Sequence, residues 1–337
     1  MTQSDKSLVS VIMPVYNAAH YFTEVLDSIP EDLGDDFELI LVDDCSSDAT
    51  AELIRRHPKA RRIKLLKTEV NSGPATARNL GVAHARGTSL LFFDADVVFL
   101  PDTFNRVRAY LKANPQARCF TGINSPDSAA PGLTSHFHAL YSYYALNLIP
   151  EGGTASTWNP RLGFVTRDLY DCVGGFDTTY RKADVEDYDF SKNITKVTPI
   201  VFTRTLEVKH RFGDFAASSA NFFKRSRQWI HLLFRRKSLD KTGHTRISNV
   251  PNILIPSLMT VCFFLWFFMP VGKVMLALLA AHVAFNLPEF VFFARSAGPA
   301  SGLLFSFMIL YFYWLGSLGI MLGLVDVGWA FVRGRRP

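Results

Sequence analysis

Short apolar segments alternate with amphipathic ones in the first part of the chain. The segment "LVSVIMPVY" (8–16) is rich in β-branched residues, and "NAAHYFTEVLDSI" (17–29) follows with apolar residues at helical spacing and Asn17 as its expected N-cap. The alternation continues with predicted strands at 37–48, 62–68 and 89–99, and with predicted helices at 49–57, 71–87 and 102–113. Continuous apolar runs are typical of strands buried on both faces. The pattern therefore predicts an α/β fold with a mostly parallel sheet flanked by helices.

Two predicted strands carry pairs of acidic residues where they are expected to leave the core. Asp43 and Asp44 end the second strand, and Asp94 and Asp96 interrupt the apolar run "LLFFDADVVF". A buried carboxylate is costly unless it is paired, hydrogen-bonded or bound to a metal. Ligands of open α/β sheets bind at the carboxyl ends of the strands. We therefore expect a site there that holds Mg²⁺ or Mn²⁺ and a phosphate, although a lone D-x-D triplet also fits a solvated turn.

Three further segments carry candidate site residues, each with a structural alternative. In "NSGPATARNLG" (71–81), Asn71 and Gly73 allow close approach to a ligand, and Arg78 can either reach a phosphate or lie on a solvated helix face. The clustered carboxylates of "DVEDYDF" (184–190) suit a general base or a capped helix start. His210 is either a ligand or a structural histidine.

The last third of the chain is apolar enough to interact with a membrane. Three segments, at about 251–271, 274–294 and 301–331, are candidates for two to three transmembrane helices. Either the first is re-entrant or the last bends back. Residues 221–250 are basic and aromatic, which indicates an interfacial helix beside these spans. We therefore expect three parts: a catalytic domain at 1–220, a basic linker at 221–250 and a membrane region at 251–337.

Charge and cysteine content indicate the cellular location of the protein and the kind of surface it meets. The net charge of +6 combines an acidic first part with a basic last part, which favours an anionic membrane surface over nucleic acid as partner. The four cysteines are scattered and form no C-x-x-C motif, as expected of a protein exposed to the reducing cytosol. The first residues lack the pattern of a signal peptide. We expect an integral membrane protein, in the cell inner membrane, whose catalytic domain is cytoplasmic.

Five motifs together resemble a known family. The segments "SVIMPVYNA", "LVDDCSSDAT", "NSGPATARNLG", "FFDAD" and "EDYDF" occur in the order and spacing of family 2 glycosyltransferases, which have the GT-A fold. The resemblance covers residues 8–215. It implies a nucleotide-sugar donor, usually a UDP-sugar, and an inverting displacement. The family's processive members carry a Q-x-x-R-W motif, which "KRSRQWIHLL" does not match, so we expect one sugar per event.

The resemblance also implies roles for single residues. Asp43 or Asp44 would read the base, Asp94 would hold the ribose or sugar, and Asp96 with His210 would hold the metal at the diphosphate. Asp187, beside Glu186, would be the catalytic base. The remaining donor-site candidates are Pro14, Tyr16, Asn17, Asn71, Gly73 and Arg78, and the acceptor-side candidates are Trp158 and Asp189.

The predicted function is transfer of a sugar to a lipid-linked or membrane-proximal acceptor. One alternative is transfer to a polyprenyl phosphate, which is already ionised and needs no base. A second alternative is a non-catalytic membrane scaffold that retains the fold. The donor sugar, the acceptor and the oligomeric state are open at this stage.

Overall fold

The computed structural model describes residues 8–181, 185–236 and 250–333. They form two compact units. The first contains the residues up to Pro131 together with Leu146–Phe212, and the second contains Gly132–Ala145 and the residues from Gly213 onward. The first unit is built from strands and helices, and the second is helical. Residues 237–249 of the predicted basic linker lie outside the described residues.

The strands and the helices follow one another along the chain as the alternating pattern predicted. The strands are β1 (Val9–Val15), β2 (Phe37–Asp43), β3 (Ile63–Lys67), β4 (Ser89–Phe92), β5 (Val97–Phe99), β6 (Cys119–Asn124), β7 (Thr154–Ala155), β8 (Gly163–Thr166) and β9 (Ile200–His210). The helices are α1 (Phe22–Ser28), α2 (Thr50–Arg56), α3 (Pro74–Ala83), α4 (Thr103–Ala113), α5 (Leu133–Asn147), α6 (Arg167–Val173), α7 (Glu186–Thr195), α8 (Phe215–Arg236), α9 (Pro251–Leu265), α10 (Gly272–Phe285), α11 (Leu287–Ala297) and α12 (Pro299–Val332). Helices α8 to α12 and most of α5 belong to the second unit.

The strands of the first unit form one mixed sheet in the order β3-β2-β1-β4-β8-β6-β9-β5, with β7 paired to β9. The four strands β3, β2, β1 and β4 are parallel, whereas β8 is antiparallel to both β4 and β6. The carboxyl ends of the parallel strands therefore share one edge of the sheet with the amino end of β8. The predicted α/β fold with a sheet flanked by helices is confirmed, and the sheet is mixed, with a parallel part formed by β3, β2, β1 and β4.

Strand β1 is buried along its whole length, which accounts for its continuous apolar sequence. Side chains of flanking helices cover it, among them Phe22 and Leu26 of α1 and Phe104 of α4. The burial of each such side chain contributes roughly 2 kcal/mol to the stability of the fold, because apolar surface leaves water. Pro14 fits inside β1 because the pairing with β4 ends at Ile12, so no ladder hydrogen bond is lost there.

The run "SLLFFDADVVF" is not the single strand that the sequence pattern predicted. It forms β4 and β5, which lie apart in the sheet, with a turn at Ala95 and Asp96 between them. Strand β4 pairs with β1 and β8, whereas β5 pairs only with β9. The chain leaves the β1 side of the sheet at Asp94 and Asp96 and then pairs with β9. The sequence is apolar before and after these two acids, so it does not indicate the change of pairing strand.

Helix α8 packs along α12 in the second unit. The packing surface of α12 includes Gly316, Gly319 and Gly323, which lie against Phe222, Ser226 and Ile230 of α8 or against its backbone. Arg227 of α8 also forms an ion pair with Asp326 of α12, with Nε 2.5 Å from Oδ2. The glycines permit the helix backbones to approach closely, as small residues do at other helix interfaces.

One described helix, α12, is long and apolar enough to cross a membrane. Helices α10 and α11 meet at an angle of 56° and pass the same test only if they are taken as one broken span. Helix α9 is apolar but shorter. The sequence left open whether the last apolar segment bends back. Helix α12, which contains this segment, runs without a break. By length and composition alone these helices are weak support for membrane association.

Candidate active site

Most of the predicted site residues lie at or near the edge of the sheet where β1, β2 and β4 end. The pairing of Phe92 in β4 with Gly163 in β8 brings the start of β8 to this edge. The pairing of Val97 in β5 with His210 brings the end of β9 beside the turn that carries Asp96. Parallel strands and two antiparallel neighbours thus bring together side chains that are far apart in sequence.

Arg78 of α3 connects two of the predicted acidic positions. Its Nη2 donates to Oδ1 of Asp94 at 2.7 Å, and its Nη1 donates to Oε1 of Glu186 at 3.0 Å. The guanidinium is buried, with 3% of the residue exposed, and it lies 5.2 Å from the centre of the Phe176 ring. Burial alone lowers the pKa of Arg78, but the two carboxylates outweigh burial and raise it. In this structure Arg78 therefore joins α3 and α7 to the acidic turn, and its burial contradicts the alternative of a solvated helix face.

Asp96 and His210 form the second polar pair of the site. Nε2 of His210 lies 3.1 Å from Oδ1 of Asp96, but the angles are not those of a hydrogen bond. Among the described residues, this oxygen and Nδ1 of His210 are both buried without a hydrogen-bond partner. Burial lowers the pKa of His210 and outweighs the opposing charge of Asp96. A carboxylate with an uncharged imidazole is a donor set that suits a divalent cation.

The chain offers few other ligands for a cation. Within residues 8–181, 185–236 and 250–333, no three His, Cys, Asp or Glu side chains converge on one point. A cation held by Asp96 and His210 would therefore complete its coordination with other ligands, and magnesium sites commonly do so with substrate phosphates and water. The orphaned Oδ1 of Asp96 fits such a cation.

The two acids at the end of β2 have different environments. The carboxylate of Asp44 accepts hydrogen bonds from the Thr68 hydroxyl at 2.8 Å and from the backbone N–H groups of Ser72 and Gly73 at 3.0 and 2.7 Å. Asp43 accepts the Ser46 N–H through Oδ1, and its Oδ2 is buried without a partner in the part of the chain that the structure describes. Asp44 thus fixes the loop before α3, and Asp43 keeps one unused acceptor.

Asn17 organises the loop between β2 and α2. Its backbone is in the left-handed region, with φ of 47°, and its Oδ1 accepts the Ser47 N–H at 2.8 Å. The expectation that Asn17 caps the first helix is wrong, because α1 begins at Phe22 with Tyr21 at its N-cap position. Asp48 accepts the Thr50 N–H at the start of α2. Asn17 therefore links the end of β1 to the acidic end of β2.

The other donor-site candidates differ in their exposure. Tyr16 is 46% exposed and Asn71 is exposed, so both can meet a ligand. Pro14 is buried within β1, so its side chain does not line an open site. Gly73 has φ of 88°, which side-chain-bearing residues rarely adopt, and its N–H is held by Asp44.

Helix α7 places two adjacent acids in different environments. Glu186 is buried against Arg78, whereas Asp187 is partly exposed. Asp189, two residues further, accepts a hydrogen bond from the Tyr180 hydroxyl. Asp184, at the start of the predicted acidic cluster, lies outside the described residues. Asp187 is thus the acid of the "ED" pair that can reach a bound molecule.

Trp158, the acceptor-side candidate, is buried in this structure. It is 0% exposed, and its indole N–H donates to the Phe164 carbonyl at 3.1 Å. Its backbone N–H is held by the Ser191 hydroxyl of α7, and its ring packs against Phe92 and Phe190. Trp158 supports α7 from within the core, because a large ring in this loop fills the space between α7 and the sheet.

Three residues near the Asp96–His210 pair were missed from the sequence. The Tyr21 hydroxyl has a raised pKa, mainly because of burial and then because of the charge of Asp96. The Arg211 N–H donates to the Asp96 carbonyl, and its guanidinium pairs with Glu24 and lies over the Tyr21 ring. Arg161 precedes β8, and its charge acts on both members of the pair. The adjacency of Arg211 to His210 was a usable signal, whereas Arg161 is brought close only by sheet pairing.

Comparisons with known proteins agree with this architecture. The chain is 33% identical over 135 residues to the putative teichuronic acid biosynthesis glycosyltransferase TuaG of Bacillus subtilis, which covers 40% of the chain and 54% of that protein. It is 34% identical over 105 residues to the poly(ribitol-phosphate) beta-N-acetylglucosaminyltransferase TarS of Staphylococcus aureus, covering 30% of the chain and 18% of that protein. The chain thus spans about half the length of TuaG and a smaller part of TarS.

A solved structure extends the likeness over most of the chain. It is that of the mannosyltransferase PcManGT from Pyrobaculum calidifontis, in complex with GDP-Man and Mn²⁺. The TM-score is 0.59 at 20% identity, and the match covers 91% of this chain and 88% of the other. At this identity the likeness concerns the fold, which is of the GT-A type. The family model described as "Glycosyl transferase family 2" matches residues 10–179, half of the chain, so the protein belongs to glycosyl transferase family 2.

Proposed function

We propose that this glycosyltransferase moves one sugar per event from a UDP-sugar to a lipid-linked or membrane-proximal hydroxyl, with inversion and with the help of a divalent cation. The observation that carries the proposal is the contact of Arg78 with both Asp94 and Glu186. This contact couples the acidic turn after β4 to the start of α7, where Asp187 is partly exposed. A donor-binding acid and a candidate base are thereby held on one rigid support, as catalysis of a displacement requires.

Asp187 has the role of general base in this proposal. It takes the proton of the acceptor hydroxyl as that oxygen forms a bond to the anomeric carbon. The bond between this carbon and the diphosphate oxygen breaks on the opposite face, and its electron pair stays with the diphosphate. Glu186 does not compete for the proton, because Arg78 holds it in the buried ion pair.

Asp96 and His210 would hold Mg²⁺ or Mn²⁺ in this proposal, and Asp94 would bind the ribose or the sugar. When bound, such a cation stabilises the charge that develops on the diphosphate leaving group. Support comes from the buried, unpartnered Oδ1 of Asp96 in the described part of the chain. Asp43, with one carboxylate oxygen unpartnered among the described residues, is the better-placed reader of the base, because Asp44 is occupied by the loop before α3.

The membrane part of the proposal rests on the helical unit. Helix α12 and the exposed apolar side chains of α9 to α12, such as Phe267 and Phe268, suit a lipid environment. In this proposal the catalytic unit is cytoplasmic and the acceptor is anchored in the same membrane. The acceptor group is either a hydroxyl or the ionised phosphate of a polyprenyl lipid.

Transfer of radiolabelled sugar from a panel of UDP- and GDP-sugars into membrane lipids tests the proposal. Wild-type protein should label the lipid fraction, and Asp168→Asn, a change at an exposed surface acid, should match it. Asp187→Asn should lose at least 100-fold if the acceptor is a hydroxyl, because the proposed general base is removed. Nearly full activity of Asp187→Asn would indicate a phosphate acceptor. Absence of both labelling and nucleotide binding in the wild type would contradict the enzyme and favour a scaffold.

A further inference from the structure

Arg161 lies at the end of the sheet where β1, β2 and β4 finish and most predicted site residues gather. The residues around it in the sequence carry none of the five motifs. Arg161 is two residues before Gly163, the residue of β8 that pairs with Phe92 at the end of β4. Because β8 runs antiparallel to β4, its amino end meets the point where β4 gives way to Asp94 and Asp96. The sheet thus places a cation beside the acidic turn.

The position of Arg161 is fixed by its backbone and by aromatic contacts. Its N–H donates to Oδ1 of Asn159 at 3.1 Å. Its guanidinium lies 5.7 Å from the centre of the Phe212 ring, and this ring is 4.3 Å from the imidazole of His210. The chain of contacts therefore runs from Arg161 through Phe212 to the Asp96–His210 pair.

In the described part of the chain the guanidinium of Arg161 has neither a carboxylate nor a carbonyl partner, whereas the guanidinium groups of Arg167 and Arg204 donate to backbone carbonyls. Arg78, Arg108, Arg118 and Arg211 each pair with a carboxylate. Arg161 is also partly exposed to solvent. An unpaired guanidinium beside a polar site keeps its full set of donors for a bound molecule.

The charge around Arg161 indicates what that molecule carries. The guanidinium of Arg161 is a positive charge beside the Asp96–His210 pair, which it reaches through the Phe212 ring. If a divalent cation binds at Asp96, it repels Arg161 unless an anion lies between the two. A phosphate group meets this need, because it can be bound by the cation on one side and by the planar guanidinium on the other.

We propose that Arg161 is a phosphate-binding residue of this active site and contacts the diphosphate of the nucleotide donor. The role rests on the proposed function. During transfer Arg161 donates hydrogen bonds to the diphosphate oxygens that receive the electron pair, and it neither gives up nor accepts a proton. The same chemistry would serve a phosphate on the acceptor, and the two sources are separated by experiment.

Calorimetric titration with matched ligands tests this role. Wild-type protein is first titrated with UDP and GDP in the presence of Mn²⁺, and the tighter ligand is compared with its nucleoside, uridine or guanosine. Arg161→Gln should weaken binding of the diphosphate by about 10-fold or more, since hydrogen bonds to charged groups have effects of this size, and leave nucleoside binding unchanged. Arg161→Lys should bind with intermediate affinity, because lysine keeps the charge but lacks the planar fork.

A control variant and the binding data together separate the possible roles of Arg161. Arg118→Gln removes an exposed arginine that pairs with Asp168 away from the site and should match the wild type. Unchanged diphosphate binding in Arg161→Gln, with a raised KM for the acceptor, assigns the contact to an acceptor phosphate. Equal weakening of diphosphate and nucleoside, or no change in either ligand or in the acceptor KM, would overturn the role. If the wild type binds neither UDP nor GDP, the proposed function itself fails.

Discussion

Arg78 shows how one buried side chain can organise a candidate active site. It holds Asp94 and Glu186, which come from distant parts of the sequence, and the Phe176 ring lies beside it. The sequence indicated that Arg78 belongs to the site but suggested a phosphate as its partner. Its partners could not be read from the sequence, because the pairing depends on how α3 and α7 lie against the acidic turn.

Replacing Arg78 by Met should leave two carboxylates facing each other without their shared cation. Breaking a buried ion pair by removing one partner typically costs about 3–5 kcal/mol. We expect a clear fall in the melting temperature, measured by tryptophan fluorescence, together with a loss of transfer activity. Arg118→Gln, at an exposed ion pair, should change stability by less than about 1 kcal/mol. Equal melting temperatures for the two variants would show that the Arg78 contacts contribute little.

Substitutions of Trp158 separate a core role from an acceptor role. Trp158→Ala removes a fully buried ring and should destabilise the protein by about 3–5 kcal/mol. Trp158→Phe keeps part of the packing and should leave the KM for the acceptor unchanged. A stable Phe variant with a strongly raised acceptor KM would return Trp158 to the acceptor side of the site.

At the scale of elements, the sequence predicted most of the α/β unit correctly. Strands β1, β2 and β3 and helices α2, α3 and α4 were visible because buried parallel strands carry unbroken apolar runs and their helices are amphipathic. The division of "SLLFFDADVVF" into β4 and β5 was missed, because both halves are apolar and their separation depends on distant partners, β8 and β9. Nonlocal pairing also explains why Arg161 was missed.

The glycines of α12 allow a prediction with a control in the same helix. A Cβ at Gly319 would lie 2.6 Å from the Phe223 carbonyl oxygen of α8, whereas one at Gly328 would meet nothing within 4 Å. Gly319→Leu should therefore push α8 away from α12 and loosen the α8 backbone, so trypsin should cleave after the exposed Lys224 and Arg225 faster than in the wild type. Gly328→Leu should be cleaved at the wild-type rate. Similar cleavage of both variants would count against the close packing of α8 on α12.

At the scale of the whole molecule, the chain combines a GT-A catalytic unit with an apolar helical unit. Helix α12 contains 34 residues. At ~1.5 Å per residue it is longer than a hydrocarbon core of ~30 Å, so part of it would lie outside the lipid. Asp326 lies near the carboxyl end of α12 and pairs with Arg227 of α8. It belongs to the part of α12 that we expect outside the lipid. Sequence composition indicated the apolar segments, and Pro288 in the first turn of α11 was a local signal for the break after α10.

Extraction of membranes with alkaline carbonate tests the placement of the helical unit. We expect the full chain to stay in the membrane pellet, because apolar helices inserted in the hydrocarbon core are not removed by high pH or salt. Detergent should release it. Release by carbonate alone would indicate a peripheral protein held by its basic surface.

Cleavage of the donor, which needs no knowledge of the acceptor, tests the central claim most directly. Hydrolysis of the preferred nucleotide sugar should proceed with Mn²⁺ and fall by about 100-fold or more with a chelator or in Asp96→Asn, because stabilisation of the leaving group is lost. Asp168→Asn should hydrolyse the donor at the wild-type rate in both conditions. Equal rates for wild-type protein and Asp96→Asn, with and without Mn²⁺, would contradict the assignment of this acidic turn as the donor and metal site.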